Sequence, residues 1–208
     1  MHRNLKQNVL YSDLGGFPNA EQKSPRGTLL PQHAPDRPQR PRWPSGLAVY
    51  DISKPDDPRQ IGFMPVDGGG LHRVWYVGGR WAYASALIDG FSDYILITID
   101  MDEPSEPKEA GRFWLPGMNL VAGEKPNWPS TFGRFGLHHA VVHADIAYCG
   151  WRDACLVVVD VSDRRAPKLI THKRWSPPIG GGTHNCLPLP DRDLLVTKTG
   201  PEPSSARS

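Results

Sequence analysis

The chain lacks a charge excess, a long apolar run and a cysteine framework, and each absence closes off a class of protein. Lys and Arg number 24 against 22 Asp and Glu, a net charge of +2. Gripping a nucleic-acid backbone needs clustered basic residues, so no nucleic-acid partner is expected. No segment approaches the roughly 20 apolar residues that cross a bilayer, so no membrane partner is expected either. The opening Met1-His2-Arg3-Asn4-Leu5-Lys6 leads into no apolar run. No export signal is therefore expected, and the expected setting is cytoplasmic. The cysteines are three, Cys149, Cys155 and Cys186, and in that setting they read as reduced thiols. Cys149 and Cys155 flank a tight turn and could lie side by side across a hairpin. Their spacing is wrong for a CxxC zinc knuckle, and two half-buried small side chains are the favoured reading. No GK[ST] follows either run of three glycines, and a strand rather than a helix comes next, which excludes a phosphate loop. No G-x-S-x-G or Ser-His-Asp arrangement is present.

Glycine and proline are abundant instead, 21 and 22 of 208 residues, which favours many turns and short strands over long helices. Aligned against itself, the chain repeats one sentence three times. Leu47-Ala48-Val49-Tyr50-Asp51-Ile52-Ser53 leads to Pro58, Leu96-Ile97-Thr98-Ile99-Asp100-Met101-Asp102 to Pro107, and Leu156-Val157-Val158-Val159-Asp160-Val161-Ser162 to Pro167. The proline comes seven residues after the aspartate every time. An apolar run ended by such a turn is a buried strand followed by a reversal. Asp51, Asp100 and Asp160 can accept hydrogen bonds from backbone N–H groups of that turn, so their expected role is structural.

A further pair of strands stands ahead of each complete copy, 73–77 with 81–84 and 140–143 with 146–149. Four antiparallel strands recurring every 40–50 residues are the pattern of a β-propeller. The expected fold is all-β, a propeller of four-stranded blades with about three blades' worth in this chain. The repeats fall at 46–64, 70–115, 136–175 and 183–197, after an N-terminal strand and Pro/Arg-rich linker (1–45) and before a polar tail (198–208) expected to be disordered. The segment 155–170, centred on Leu156-Val157-Val158-Val159-Asp160-Val161-Ser162, resembles the LVIVD repeat, and the likeness extends over residues 46–197. That resemblance implies a propeller distantly similar to the selenium-binding proteins. Distant relatives of this kind include methanethiol oxidases, whose propeller channel carries metal-binding histidines.

Independently of any resemblance, one histidine occupies the same slot in each unit. Gly68-Gly69-Gly70-Leu71-His72, Phe135-Gly136-Leu137-His138 and Gly180-Gly181-Gly182-Thr183-His184 each lead into a strand. First strands of propeller blades line the central channel, and a glycine there lets the backbone approach the axis without a Cβ clash. His72, His138 and His184 are therefore expected to converge and hold a divalent transition metal, Zn, Cu, Fe or Mn. The competing reading has each histidine capping a strand by a hydrogen bond to the next blade. His139 and His143 have the opposite strand parity and are expected at the surface or between blades. His2, His33 and His172 have no counterpart in other copies and are expected in solvent. Trp128, within the insertion 116–135, is expected to anchor that loop, with roofing of the channel as the alternative.

Two functions follow. One is oxidoreductase or lyase chemistry on a small organic molecule at the histidine-held metal, the insertion shaping the pocket. The other is a non-catalytic scaffold binding protein or ligand, or an inactive truncated member of the family. Four blades is about the minimum for closure, and related propellers resemble longer chains. Truncation is thus expected, with self-association or completion by another chain to cover the open flanks.

Overall fold

The computed structural model describes residues 9–13, 44–130 and 132–200. Four antiparallel sheets follow in chain order. The first holds β1 (Val9–Asp13), β2 (Gly46–Asp51) and β3 (Arg59–Pro65). The second holds β4 (Gly68–Trp75), β5 (Trp81–Ile88), β6 (Ile95–Asp100) and β7 (Lys108–Phe113). The third holds β8 (His139–His143), β9 (Ile146–Trp151), β10 (Cys155–Asp160) and β11 (Lys168–Lys173). The last holds β12 (Cys186–Leu189) and β13 (Leu194–Thr197). The chain is therefore all-β, built of propeller-like blades that make an incomplete arc and not a closed ring. First strands meet first strands, β4 against β8 and β8 against β12. The Trp75 indole N–H donates to the Val142 carbonyl across that seam at 3.2 Å.

The repeated sentence builds the third strand of each blade and the turn beyond it. In β6, Ile95, Leu96, Ile97, Thr98 and Ile99 are all fully buried. A strand with blades on both of its faces needs apolar residues at every position, which is why the alternation expected of a half-exposed strand is missing. Asp51 accepts from the Ser53 amide at 2.8 Å, Asp100 from Asp102 at 3.0 Å and Asp160 from Ser162 at 2.8 Å. The structural role expected of the three aspartates is thus the one found. Each third strand also meets its outer neighbour with a bulge at one fixed place, between Val49 and Tyr50, Thr98 and Ile99, and Val158 and Val159. A bulge bends and twists the outer strand locally, so the repeat encodes curvature as well as pairing.

Two expectations need revision. The N-terminal strand has no partner strand legible in the sequence, yet β1 pairs with β2 from Val9↔Asp51 to Asp13↔Leu47. It fills the place that β5 and β9 hold in their own blades. Cys149 and Cys155 are not side by side: Cys155 faces Trp151 and Cys149 faces Val157, because the hairpin turns about Asp153, one residue later than that pairing needs. All three cysteines are free and buried, and burial pushes the Cys186 thiol up to about 12. Such thiols are inert packing groups.

The last sheet presents Leu187, Leu194 and Val196 to solvent, and the outer strand β11 does the same with Leu169 and Ile170. Residues 198–200 continue the pairing with the lead-in to β12, through Lys198 N–H to the Asn185 carbonyl (3.3 Å) and Gly200 N–H to the Gly181 carbonyl (2.8 Å). The Pro/Arg-rich linker, His2, His33 and residues 201–208 lie outside the described residues. Among those described, no helix is long and apolar enough to cross a membrane.

Candidate functional site

One mouth of the arc is assembled from two kinds of segment. The first is the chain leading into each first strand, where the G-x-H slots lie. The second is the turn between second and third strands of the preceding blade, which packs on that lead-in. The Leu137 amide donates to the Tyr94 carbonyl at 2.8 Å. Likewise Arg152 and Thr183 exchange backbone hydrogen bonds of 3.2 and 2.9 Å. The contact is close enough to demand glycine. A Cβ on Gly136 would stand 2.3 Å from the Asp93 carboxyl carbon, and one on Gly181 would stand 2.4 Å from an Asp153 oxygen. In the second and third lead-ins the motif glycines thus admit a carboxylate, whereas at Gly70 the close neighbour is Ser45.

This packing brings the three predicted imidazoles together. The His72 and His138 ring centroids are 4.9 Å apart, edge to face, and those of His138 and His184 are 4.3 Å apart. Their positions are not identical, however. His138 and His184 precede their strands, whereas His72 lies inside β4, at a bulge between the pairs Leu71↔Ala86 and Arg73↔Ser85. The Tyr94 ring lies 5.5 Å from His72, tilted against it.

The hydrogen bonds fix the protonation pattern. His138 Nδ1 is 2.7 Å from the His184 carbonyl; a carbonyl only accepts, so Nδ1 carries the hydrogen and Nε2 keeps its lone pair. This is the inter-blade cap of the competing reading. It is also the arrangement by which a second partner orients a metal-ligating imidazole. His72 Nε2 is buried with no hydrogen-bond partner. His184 Nε2 accepts a long hydrogen bond, 3.4 Å, from Arg152 Nη1. Among the described residues, no three His, Cys, Asp or Glu side chains are placed to hold a metal as they stand. The reason is visible in the contacts, since the rings pack on one another and the third lone pair faces a guanidinium.

All three imidazoles are held neutral. Burial, with Arg73, Arg152 and Arg134 adding repulsion, pushes His72 down to about 4. Burial and then Arg152 push His138 down to about 3, and the same two causes lower His184. In the unfolded chain these groups titrate near 6.5. The unfolded state therefore takes up protons first as the pH falls, and stability is lost with acid. Melting temperature is expected to be flat above pH 7 and to decline as pH falls from 6.5 through about 4. In a His72→Gln/His138→Gln variant the slope should be shallower, as calorimetry across that range would show; an identical slope would mean the cluster does not titrate this way.

Sequence inspection misses four residues of the site. Asp93 and Asp153 both stand seven residues before a repeat aspartate, so the self-alignment holds a signal for them. Arg134 reaches Asp93 side-on through Nε (3.0 Å) and Nη2. Asp153 accepts from the Arg134 amide at 2.9 Å and the Gly182 amide at 2.7 Å. Arg134 and Arg152 carry no comparable signal. The remaining histidines separate as expected in part. His139 packs on Trp75 between blades and His143 is exposed. His172, expected in solvent, is half-buried with Nε2 2.7 Å from the Ala154 carbonyl. Trp128 stacks on Phe135 at 3.9 Å, anchoring the insertion.

Comparison with known proteins adds one positive finding. The model of the LVIVD repeat matches residues 141–172, which run from within β8 to within β11, the third blade. No curated protein matches the chain.

Proposed function

We propose that the histidine cluster is a metal site, with His72, His138 and His184 as ligands, serving oxidoreductase or lyase chemistry on a small organic molecule. The observation that carries this reading is the meeting of three neutral imidazoles, one of them with a buried and unpartnered Nε2. Neutral imidazole is the form that binds transition metals, and an orphaned buried nitrogen costs stability unless something occupies it. When bound, the ion would act as Lewis acid or redox centre. His138 fits best, because its Nδ1–H is already committed to the His184 carbonyl and its Nε2 keeps the lone pair. His184 joins once Arg152 releases its Nε2. The Tyr94 ring stands beside the cluster, 5.5 Å from His72.

Elemental analysis and titration with Zn, Cu, Fe and Mn test this. Stoichiometric metal is expected, with affinity falling by at least the roughly 10–100-fold that loss of an outer-shell partner costs in each of His72→Ala, His138→Ala and His184→Ala. Metal-free protein that also takes up none of the four ions would leave the histidines as inter-blade caps.

A further inference from the structure

Three arginines of this fold present the same edge to a carboxylate. Arg80 donates to Asp100 through Nε and Nη2 at 2.9 and 2.7 Å. Arg134 does so to Asp93, and Arg112 to Glu109. Arg164 also keeps a buried, unpartnered Nε but pairs with Asp145 through Nη2, and Arg152 pairs with no described carboxylate. Its Nη1 rests on His184 Nε2, while its Nε is buried and has no acceptor. Among the described residues no carboxylate forms an ion pair with it. The two nearest in the site are already engaged, Asp93 by the Arg134 guanidinium and Asp153 by two backbone amides. Buried charges are ordinarily paired, so a half-buried guanidinium with an enclosed and unpartnered Nε is an anomaly that asks for a partner.

The backbone underlines this. Arg152 holds φ at 40°, a left-handed conformation uncommon for a long side chain, while its N–H and carbonyl are pinned to Thr183. Strain of that kind persists where the surroundings over-determine it. Here the outcome is a guanidinium delivered to the histidines from the β9–β10 turn. Its surroundings are cationic as well: burial and the repulsion of Arg134 hold it below its ordinary range, Asp93 and Asp153 offsetting only part.

We propose that the Nε–Nη2 edge of Arg152 is the binding subsite for the carboxylate of a small organic ligand, seated beside His72, His138 and His184. A planar carboxylate matches the guanidinium fork through two parallel hydrogen bonds, as the three internal pairs do. Seating it rotates the guanidinium and frees His184 Nε2 from Nη1. Carboxylate and metal then assist each other, because the first ligand removes the group that blocks the second, and such coupling is reciprocal. The subsite deepens the metal reading given above and depends on it only for this coupling.

The test is titration of the purified protein with acetate, and separately with inorganic sulfate, at constant ionic strength, with and without zinc. Saturable acetate binding is expected in the wild type. It should weaken roughly 10–100-fold, the worth of a charge-assisted bidentate pair, in Arg152→Gln. Arg152→Lys, which keeps the charge and loses the fork, should recover little of it, and Arg73→Gln should stay near wild type. Zinc should tighten acetate binding, and acetate should tighten zinc by the same factor. Acetate binding that survives both Arg152 substitutions, or is lost equally in Arg73→Gln, overturns the subsite, as does preference for sulfate. Arg152-dependent acetate binding in protein that takes no zinc keeps the subsite and removes the metal reading.

Discussion

Replacing Gly111 by valine should lower the melting temperature by roughly 6–12 °C, the shift that about 3 kcal/mol produces in a chain of this size. Gly111 lies on β7 opposite Thr98, and a Cβ there would stand 2.4 Å from the Arg164 carbonyl oxygen and 2.8 Å from that of Arg165. Both are backbone atoms of the next blade's turn, so no rotamer change relieves the clash and the blades must part. The Thr98 hydroxyl, which donates to Arg164 carbonyl at 2.5 Å, would be strained by the same movement. Gly62 meets the turn at Pro104 and Ser105 in the same way, at 2.4 Å. The internal control is Thr171, which occupies the equivalent place in the third copy, four residues after its proline. Thr171 is exposed, so Thr171→Val should change the melting temperature little. Equal effects of Gly111→Val and Thr171→Val in a thermal melt would sink the idea that glycine is required by blade-to-blade approach.

Removing the Asp153 carboxylate should be almost as damaging, and locally. Asp153 is 6% exposed and serves two amides on different segments, Arg134 at the end of the insertion and Gly182 ahead of β12. Asp153→Ala leaves both donors without an acceptor. At about 1.5–3 kcal/mol for each hydrogen bond to a charged group, less what water recovers, the cost is about 2–5 kcal/mol. Asp153→Asn, keeping one acceptor oxygen, should lie between. Hydrogen exchange is the decisive readout: the Arg134 and Gly182 amides should lose protection while those of β6 keep theirs. Uniform loss across the chain would mean Asp153 supports the fold in general and not the mouth of the arc.

The repeated sentence predicted the blades closely because what it encodes is local. The burial of 95–99, the aspartate that accepts from the amide two residues on, the proline and the bulge all involve residues within about a dozen positions. Their spacing therefore shows directly in the chain. The meeting of His72, His138 and His184 was legible for a related reason, since equivalent slots of equivalent blades must face a common side. What failed was finer. His72 sits within β4 because the triple glycine is taken into the strand with bulges, and the strand 9–13 finds a partner because the first blade's second place is open to it. His172 was missed because its acceptor, the Ala154 carbonyl, belongs to a turn that no copy of the sentence describes.

The succession of strands, their turns and the family of architecture were decided by the order of residues alone, since each depends on hydrogen bonds and burial patterns that recur at short range. The chemistry of the mouth was decided only by tertiary packing. Asp93 comes from the β5–β6 turn, Arg134 from the end of the insertion, and Arg152 and Asp153 from the β9–β10 turn, and nothing in their spacing says which carboxylate each guanidinium takes. Only when blades pack, and Gly136 and Gly181 let the turns close in, does Arg134 take Asp93 while Arg152 is left facing His184. Charge pairing over such separations is a property of the assembled arc, because it depends on which side chains the packed backbone leaves within reach.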